Sequence, residues 1–315
     1  MNLQLLIEQY ITYRQTLGER FQTNAANLRA FARAIGIDAD IAEVRAEQVN
    51  VFLAGTGPLT HTWYVRHNAL VGFYRYATSR GHVATAPLPV VLPKRPASFV
   101  PYIYSHEELR RLVEVARTNQ EHRSCIEPDT LGTIVLLLYG TGLRVGEAVR
   151  LDRQDVDLDS SLLTVRQSKF YKSRLVPFSQ QLQTLLTRYS EQHPATICHS
   201  GQPAAFFTTH AGGRVNLQTL QVRFRRICQK AGICRDGASY QPRLHDLRHT
   251  FAVDRLTSWY RQGACVQQLL PVLSVYLGHA HLGATAVYLS MTPDLLAEAN
   301  ARFERYAQQE EVKHA

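Results

Sequence analysis

The feature that most constrains the fold is a proline-rich segment about a third of the way along the chain. Five of the thirteen prolines fall between residues 86 and 101, with Lys94 and Arg95 among them. Proline at this density excludes regular helix and central strand and favours a stiff, extended spacer. The 315 residues are therefore predicted to form two domains, each long enough to bury a core. The predicted boundaries are 1–85 for the first domain, 86–104 for the linker, 105–292 for the second domain and 293–315 for a tail helix.

Apolar residues in the first domain recur at helical spacing. Four such runs end near Gly18, Gly36, Leu53 and Ser79. Four or five short helices in about 80 residues are typical of a small helical bundle.

The second domain combines helices with a small amount of β-structure. Ser105 and Glu108 have the spacing of a capping box at the start of a helix. Leu162–Val165 and Arg174–Pro177 flank a polar turn and predict a hairpin, and residues 205–207 predict one more strand. The fold class is therefore mostly α with a small β-hairpin or sheet, a helical N-terminal domain followed by an α+β domain.

Two breaks are expected among the later helices. A buried helix is predicted to stop at residues 140–142, where two glycines flank Thr141, and the next helix carries Arg144 in its first turn. A helix over residues 266–276 is expected to be broken or restarted at Pro271.

The strongest functional signal lies between residues 244 and 252. His245 and Arg248 are three apart, which on a helix places both on one face. Leu247 and Phe251 occupy the neighbouring sector, and their burial would hold the polar pair at the edge of a core. Two donors so placed suit an oxyanion such as phosphate. Without further signals, the simpler interpretation is that this histidine and arginine are solvated on a helix surface.

Two other stretches carry residues of the same kind. Arg144 is expected where a helix begins and free backbone donors face an anion, with Glu147 on the same helical face. Lys169 is expected at the tip of the predicted hairpin, within a stretch that lacks acidic residues from 161 through 180. A basic hairpin tip can carry an ammonium group to a leaving oxygen.

The last stretch joins His279 to Tyr288. Nine positions along one unbroken helix would place the two side chains on opposite faces. Gly278 and Gly283 predict a turn between them, so a new helix can bring Tyr288 back toward His279. A tyrosine on an amphipathic helix is, by itself, more often a core residue.

In their order and spacing these stretches resemble the tyrosine recombinase family, which includes phage-type integrases and Xer-type resolvases. The motifs span residues 144 to 288, and the resemblance is firm over roughly the last two thirds of the chain. The size and helicity of the first domain resemble the family's core-binding domain. It implies a set of catalytic residues: Arg144, Lys169, His245, Arg248, His279 and Tyr288. Glu147 matches an acidic position that supports the site from behind.

The resemblance also implies a reaction. The arginines and His279 would bind the nonbridging oxygens of a DNA phosphodiester, and Tyr288 would attack phosphorus to give a 3′-phosphotyrosyl intermediate. His245 would act as a base or an orienting donor, and Lys169 as the acid for the leaving 5′ oxygen. Neither a metal nor ATP is expected, and no other cofactor. The expected partner is double-stranded DNA, bound by four protomers that exchange strands through a Holliday junction.

The charge of the chain agrees with an acidic partner. Net charge is +9 and the pI is about 9.4. Residues 214–248 hold eight basic and two acidic residues, beside the predicted phosphate-binding pair. A basic stretch is most often a solvated face, but this location favours nucleic acid.

Cysteine usage and hydropathy indicate a cytoplasmic protein. The five cysteines are odd in number and fit no zinc spacing, so free thiols in a reducing compartment are expected. The first ten residues lack the features of a signal peptide. The longest aliphatic run, residues 134–138, is too short to cross a membrane. Neither a membrane nor a small-molecule substrate is an expected partner.

Three alternatives remain open from the sequence. His245 and His249 are four apart, with Asp246 after the first, as on a zinc-protease helix, although no third ligand is evident. A DNA-binding regulator on the same scaffold and a topoisomerase of related chemistry are the others. The tail also allows two arrangements, since its apolar face could pack on its own domain or, as the resemblance implies, dock into a neighbouring protomer.

Overall fold

The chain divides into two compact units, Met1–Phe99 and Val100–Ala315, in the computed structural model. The structure describes the following residues: 1–57, 59–95, 100–119, 124–166, 173–194, 203–235, 237, 240–291, 293, 295–301 and 304. Lys169 and Cys198 lie outside them.

The first unit is a bundle of helices around one core. Asn2 caps α1 by accepting from the Leu5 backbone, and Gly36 ends α2 where the chain turns with φ +126°. The helices are α1 (Leu3–Thr16), α2 (Gln22–Ile35), α3 (Ala46–Ala54) and α4 (His61–Ser79). Their fully buried side chains include Leu6, Leu28, Phe31, Leu70 and Phe73.

The proline-rich segment carries no helix or strand between residues 86 and 95. Part of it is held against the first unit, because the Tyr64 hydroxyl donates to the Pro93 carbonyl and the Arg95 guanidinium lies over the Tyr64 ring. Val90 and Val91 are nevertheless 96% and 84% exposed.

The second unit is mostly helical, as the sequence predicts. Its helices are α5 (His106–Thr118), α6 (Pro128–Thr141), α7 (Val145–Ala148), α8 (Gln180–Gln192), α9 (Leu217–Lys230), α10 (Asp246–Arg261), α11 (Val266–Leu277) and α12 (Gly283–Ala286). Short 3₁₀ turns lie at Ile41–Glu43 in the first unit and at Arg153–Asp155 and Val287–Ser290 in the second. The predicted capping box is present, since Ser105 and Glu108 each accept from the other's backbone N–H.

One antiparallel sheet of three strands belongs to this unit. Strand β1 (Val156–Asp157) pairs with β2 (Leu162–Val165), and β2 pairs with β3 (Arg174–Pro177), with Val165 opposite Arg174. The predicted hairpin is thus confirmed. The strand predicted at 205–207 is wrong, because Ala205 makes only a single bridge, to Asp152.

The predicted end of the buried helix is confirmed, because α6 ends at Thr141 with Gly142 as its C-cap. Two other helix details differ from the sequence predictions. Arg144 is the N-cap of α7 with extended backbone, one position before the first turn. Helix α11 continues through Pro271. Proline lacks the one N–H that would have bonded the Gln267 carbonyl, and Gln267 is exposed.

The apolar side chains of the second unit form two clusters. The larger surrounds α6, whose Leu131, Ile134 and Leu138 are almost fully buried. The smaller joins α10, α11 and the chain after α12, and contains Tyr288. The candidate site lies where these elements meet. In the described part of the chain, no helix is long and apolar enough to span a membrane.

Candidate active site

A buried carboxylate organises the first part of the site. Glu147, 5% exposed, accepts two hydrogen bonds from the Arg174 guanidinium at 3.1 and 2.8 Å. It also accepts one from Arg144 Nη1 at 2.8 Å and one from the Arg144 backbone at 3.0 Å. Burial raises the pKa of Glu147, but the hydrogen bonds and charge of Arg174, together with the hydrogen bonds of Arg144, outweigh it and bring the pKa to about 2. Glu147 is therefore ionised and fixes both arginines.

Both of these arginines also reach the end of α11. Arg144 Nη2 donates to the Gly278 carbonyl at 2.7 Å, and Arg174 Nε donates to the Tyr276 carbonyl at 2.9 Å. The Arg144 side chain keeps 28% exposure and Arg174 keeps 11%. Arg144 therefore retains donors that can face a ligand, whereas Arg174 acts mainly through its two protein partners.

Arg248 is more deeply buried than the sequence predicts. It is 2% exposed, not at the edge of the core, and donates to the carbonyls of Gly142 and Leu277, both at 2.8 Å. Burial and the nearby charge of Arg144 lower its pKa to about 10, so it stays cationic at neutral pH. A guanidinium has five N–H donors, so Arg248 can bind both carbonyls and still bind an anion.

Glycines end the two helices, α6 and α11, whose last carbonyls accept hydrogen bonds from Arg144 and Arg248. Gly142 has φ +61°, and a Cβ there would lie 2.5 Å from Phe251 Cδ1. Gly278 has φ +68°, and a Cβ would lie 2.9 Å from the Arg174 guanidinium. Both conformations favour glycine, so the glycines that end α6 and α11 position the arginines.

Tyr288 lies in the 3₁₀ turn after α12 and is 3% exposed. Its ring centroid is 6.1 Å from that of His279 and 5.5 Å from that of His249. Burial raises the pKa of the phenol, while Arg248 opposes this through its charge and a hydrogen bond, and Arg144 through its charge. The predicted turn between His279 and Tyr288 is present and brings the two rings together.

The histidines of the site are held neutral. Burial, followed by the charges of Arg248 and Arg144, lowers the pKa of His279 to about 4. Burial and His245 lower the pKa of His249 to about 3. The pKa of His245, at the N terminus of α10, is also lowered by burial and by Arg248. Each ring therefore carries one proton at neutral pH and can donate one hydrogen bond and accept one.

The structure brings together five of the six predicted catalytic residues: Arg144, His245, Arg248, His279 and Tyr288. Lys169 lies outside the described residues, so its place remains a prediction. The sequence assigned no role to Arg174 or Thr285, and it considered His249 only in the zinc-protease alternative. Arg174 and Glu147 are 27 residues apart, so no local sequence pattern links them.

The zinc-protease alternative gains no support from the side-chain arrangement. Asp246 is fully buried and accepts from the Arg243 guanidinium at 2.9 Å. Within the described ranges, no group of three or more His, Cys, Asp or Glu side chains is placed to hold a metal ion. Cys125, Cys228, Cys234 and Cys265 are free thiols.

Replacing Glu147 by glutamine should destabilise the protein at neutral pH. A carboxyl with a lowered folded pKa stabilises the fold above its ordinary pKa of 4.5, and that stabilisation is lost as pH falls toward about 2. We expect a loss of about 3 kcal/mol at pH 7 that shrinks through this window. Denaturant unfolding at several pH values measures it. Exposed Glu114→Gln is the control, and an equal, pH-independent loss in both variants would contradict the assignment.

Comparison with known proteins identifies the family. Residues 103–294 match the phage integrase family. The putative integrase/recombinase y4rE of Sinorhizobium fredii is 38% identical over 302 residues, 94% of either chain. The tyrosine recombinase XerC of Oceanobacillus iheyensis is 29% identical over 279 residues, 85% of this chain and 83% of that one. A crystal structure of a lambda integrase tetramer bound to a Holliday junction has a TM-score of 0.66 at 17% identity, covering 91% of this chain and 77% of that one.

The family match spans more than half of the chain. The chain therefore belongs to the phage integrase family and is a tyrosine-type site-specific recombinase, an enzyme of DNA recombination. The predictions of family, enzyme class and mostly helical fold are confirmed.

Proposed function

We propose that this recombinase cuts and rejoins duplex DNA through a covalent bond to Tyr288. The observation that carries the proposal is the convergence of four side chains on the turn after α11. Arg144 binds the Gly278 carbonyl, Arg248 binds the Leu277 carbonyl, and the next residue, His279, stacks on the Tyr288 ring. A phosphodiester placed there would meet two cations and a neutral donor beside a phenol.

Each group then has a chemical task. Arg144 and Arg248 bind the nonbridging oxygens and stabilise the added charge of the pentavalent transition state, and His279 donates a further hydrogen bond. The Tyr288 oxygen loses its proton, with His245 as the base or orienting donor, and forms a bond to phosphorus. The bond to the 5′ oxygen breaks, and that oxygen takes a proton from Lys169.

The product keeps the DNA 3′ phosphate on Tyr288 and frees a 5′ hydroxyl. Attack by a 5′ hydroxyl of the partner strand reverses the step and reseals the backbone. Because the phosphotyrosyl bond retains the energy of the broken phosphodiester, resealing requires no nucleotide. The two arginines supply the positive charge that a metal would otherwise supply.

The partner is double-stranded DNA, and four protomers on two sites are the proposed assembly. The basic balance of residues 214–248 supports DNA binding. The lambda integrase of the same fold was solved as a tetramer on a Holliday junction, which supports both the substrate and the assembly. Integration, excision, transposition and dimer resolution are all uses of this chemistry.

The tail remains open between the two predicted arrangements. Leu295 is fully buried in the cluster that contains Tyr288, and the Arg261 Nε donates to Glu298 at 2.8 Å. These contacts support packing of the first tail residues within the protomer. The sequence places Leu295, Leu296, Phe303 and Tyr306 on the apolar face of the tail helix. Leu296 is 49% exposed, and Phe303 and Tyr306 lie outside the described residues.

A nicked suicide substrate tests the proposal. Cleavage beside the nick releases a short strand, so the covalent complex cannot reseal. We expect the wild type to accumulate on the 3′ phosphate in the presence of EDTA, as a DNA-linked band on a denaturing gel. DNA binding without any adduct on a cognate site would overturn the proposed chemistry and favour a regulator. An adduct with relaxation of supercoils but no exchange between two sites would favour a topoisomerase.

We propose further that the first unit binds the DNA backbone. Its exposed arginines include Arg33, Arg45 and Arg75. A fragment beginning at Val100 should fold, because it keeps both core clusters of the second unit, yet bind DNA more weakly. The salt dependence of binding should become shallower, since each lost phosphate contact removes about 0.9 from the slope of log K against log salt. An unchanged slope would exclude backbone contacts by the first unit.

A further inference from the structure

We propose that Thr285 is a positioning residue that selects the tautomer of His279, leaving the Nε2–H as the donor of that ring. The proposal rests on the proposed function for the purpose of the donor, which is to bind the scissile phosphate. The selection itself is a property of the free protein.

The contact that carries the inference is short and buried. His279 Nδ1 and Thr285 Oγ1 are 2.7 Å apart, and Thr285 is fully buried. The backbone fixes both ends, because the His279 N–H donates to the Ser274 carbonyl at 2.9 Å and the Thr285 N–H donates to the Leu282 carbonyl at 2.8 Å. The two side chains are therefore held in register by separate elements.

The Thr285 hydroxyl must be the donor of this hydrogen bond if its own hydrogen is to have an acceptor. Among the described residues, Nδ1 is the one hydrogen-bond partner that the Thr285 hydroxyl finds. If Nδ1 carried the proton, the hydroxyl would accept it and its own hydrogen would be left buried without an acceptor. An unmade buried hydrogen bond costs about 1–3 kcal/mol. The hydroxyl therefore donates to Nδ1.

This hydrogen bond determines which nitrogen of the neutral His279 ring carries the proton. Burial and the charges of Arg248 and Arg144 keep the pKa of His279 near 4, so the ring carries one proton at neutral pH. With Nδ1 accepting, that proton lies on Nε2. His279 is 6.1 Å from Tyr288 between ring centroids, so the preset donor lies beside the nucleophile.

The same short segment holds the nucleophile. Thr285 is in α12 and Tyr288 is in the 3₁₀ turn that follows directly, three residues later. A movement of this segment that exposes Tyr288 also moves Thr285. The contact thus ties the donor tautomer of His279 to the placement of Tyr288.

The direct test is the tautomer of His279 in the DNA-free full chain. Nitrogen-15 chemical shifts distinguish Nδ1 and Nε2 protonation, and His279→Gln assigns the signals by their loss. We expect the Nε2–H form in the wild type and in Thr285→Ser, which keeps the hydroxyl. Thr285→Val keeps the shape but not the hydroxyl, and should lose the preference; Thr285→Ala is the second variant if valine impairs folding.

Cleavage of the suicide substrate gives the functional result. Thr285→Val should be slower by about 10–100-fold, the range typical of losing a partner that orients a metal-bound histidine, because the same kind of hydrogen bond orients His279. Thr285→Ser should stay within about threefold of the wild type, because it keeps the second-sphere hydrogen bond. DNA affinity should be unchanged in both, which separates a catalytic loss from a binding loss.

The outcomes separate this proposal from the proposed function. Retention of the Nε2–H form in Thr285→Val, or its loss in Thr285→Ser, would overturn the tautomer proposal. A shifted tautomer with unchanged cleavage would support it and remove His279 from the donors to phosphate. Absence of any adduct in the wild type would defeat the proposed function and leave the tautomer result intact.

Discussion

Tyr288→Phe should abolish covalent complexes with DNA while leaving folding and DNA binding intact. The substitution removes one oxygen, and with it the atom that would bond to phosphorus. No protein–DNA band is expected on the suicide substrate at any time at which the wild type gives one.

The fold should tolerate this change because the ring keeps its contacts. Tyr288 belongs to a cluster with Phe251, Leu273 and Leu295, and phenylalanine preserves that packing. The loss is one hydrogen bond with Arg248, a group that retains two carbonyl partners. The melting temperature and the affinity for a single DNA site are therefore expected to stay near those of the wild type.

Tyr276→Phe is the matched control. Tyr276 is a half-buried tyrosine in the same unit, whose hydroxyl donates to the Pro177 carbonyl at 2.9 Å. The control variant should still form the adduct. An adduct in Tyr288→Phe would show that another residue attacks the phosphate, and loss of the adduct in both variants would point to a general defect.

The buried state of Tyr288 gives this experiment a second use. A side chain that is 3% exposed cannot reach a phosphate without a local movement. Burial also raises the pKa of the phenol, which disfavours ionisation before DNA arrives. The rate of adduct formation should therefore rise with pH, because a larger fraction of the phenol ionises.

The local features of the fold could be predicted from the sequence. The helices of the first unit and the β2–β3 hairpin follow from periodicity and turn residues, which are local properties. The strand predicted at 205–207 failed because its aromatic residues bury in the core without a partner strand. Pro271 failed as a helix break because the surrounding helix tolerates one missing hydrogen bond.

The site was predictable as a set of residues but not as a network. The spacing of His245 and Arg248 predicts that both lie on one helical face, and Gly278 predicts the turn before Tyr288. The pairing of Glu147 with Arg174 and the insertion of Arg248 between two carbonyls depend on contacts across 27 to 106 residues. No local pattern encodes such contacts, since the first arises only when α7 packs beside β3 and the second only when α6, α10 and α11 pack together.

Arg144→Lys should slow cleavage by two to three orders of magnitude with little loss of stability. Lysine keeps the charge but presents a single ammonium group instead of a planar fork, so it loses two-pronged binding of phosphate oxygens. Loss of one transition-state donor costs about 3–4 kcal/mol. The Arg144 side chain is 28% exposed, and Glu147 keeps both bonds from Arg174 and the bond from the backbone at position 144. Single-turnover cleavage and thermal melting measure the two effects.

Arg248→Lys provides the contrasting case, with losses in both cleavage and stability. Arg248 is 2% exposed and donates to the Gly142 and Leu277 carbonyls from two separate nitrogens. Lysine has a single ammonium nitrogen on a flexible side chain and cannot reproduce this geometry well. A buried acceptor left without its donor costs about 1–3 kcal/mol, so the melting temperature should fall as well.

DNA affinity should change far less than cleavage in either variant, because many other phosphate contacts remain. Near-normal cleavage by Arg144→Lys would remove Arg144 from the transition state. An Arg248→Lys variant that melts at a lower temperature but cuts DNA at a near-normal rate would show that Arg248 serves the two carbonyls and not the phosphate.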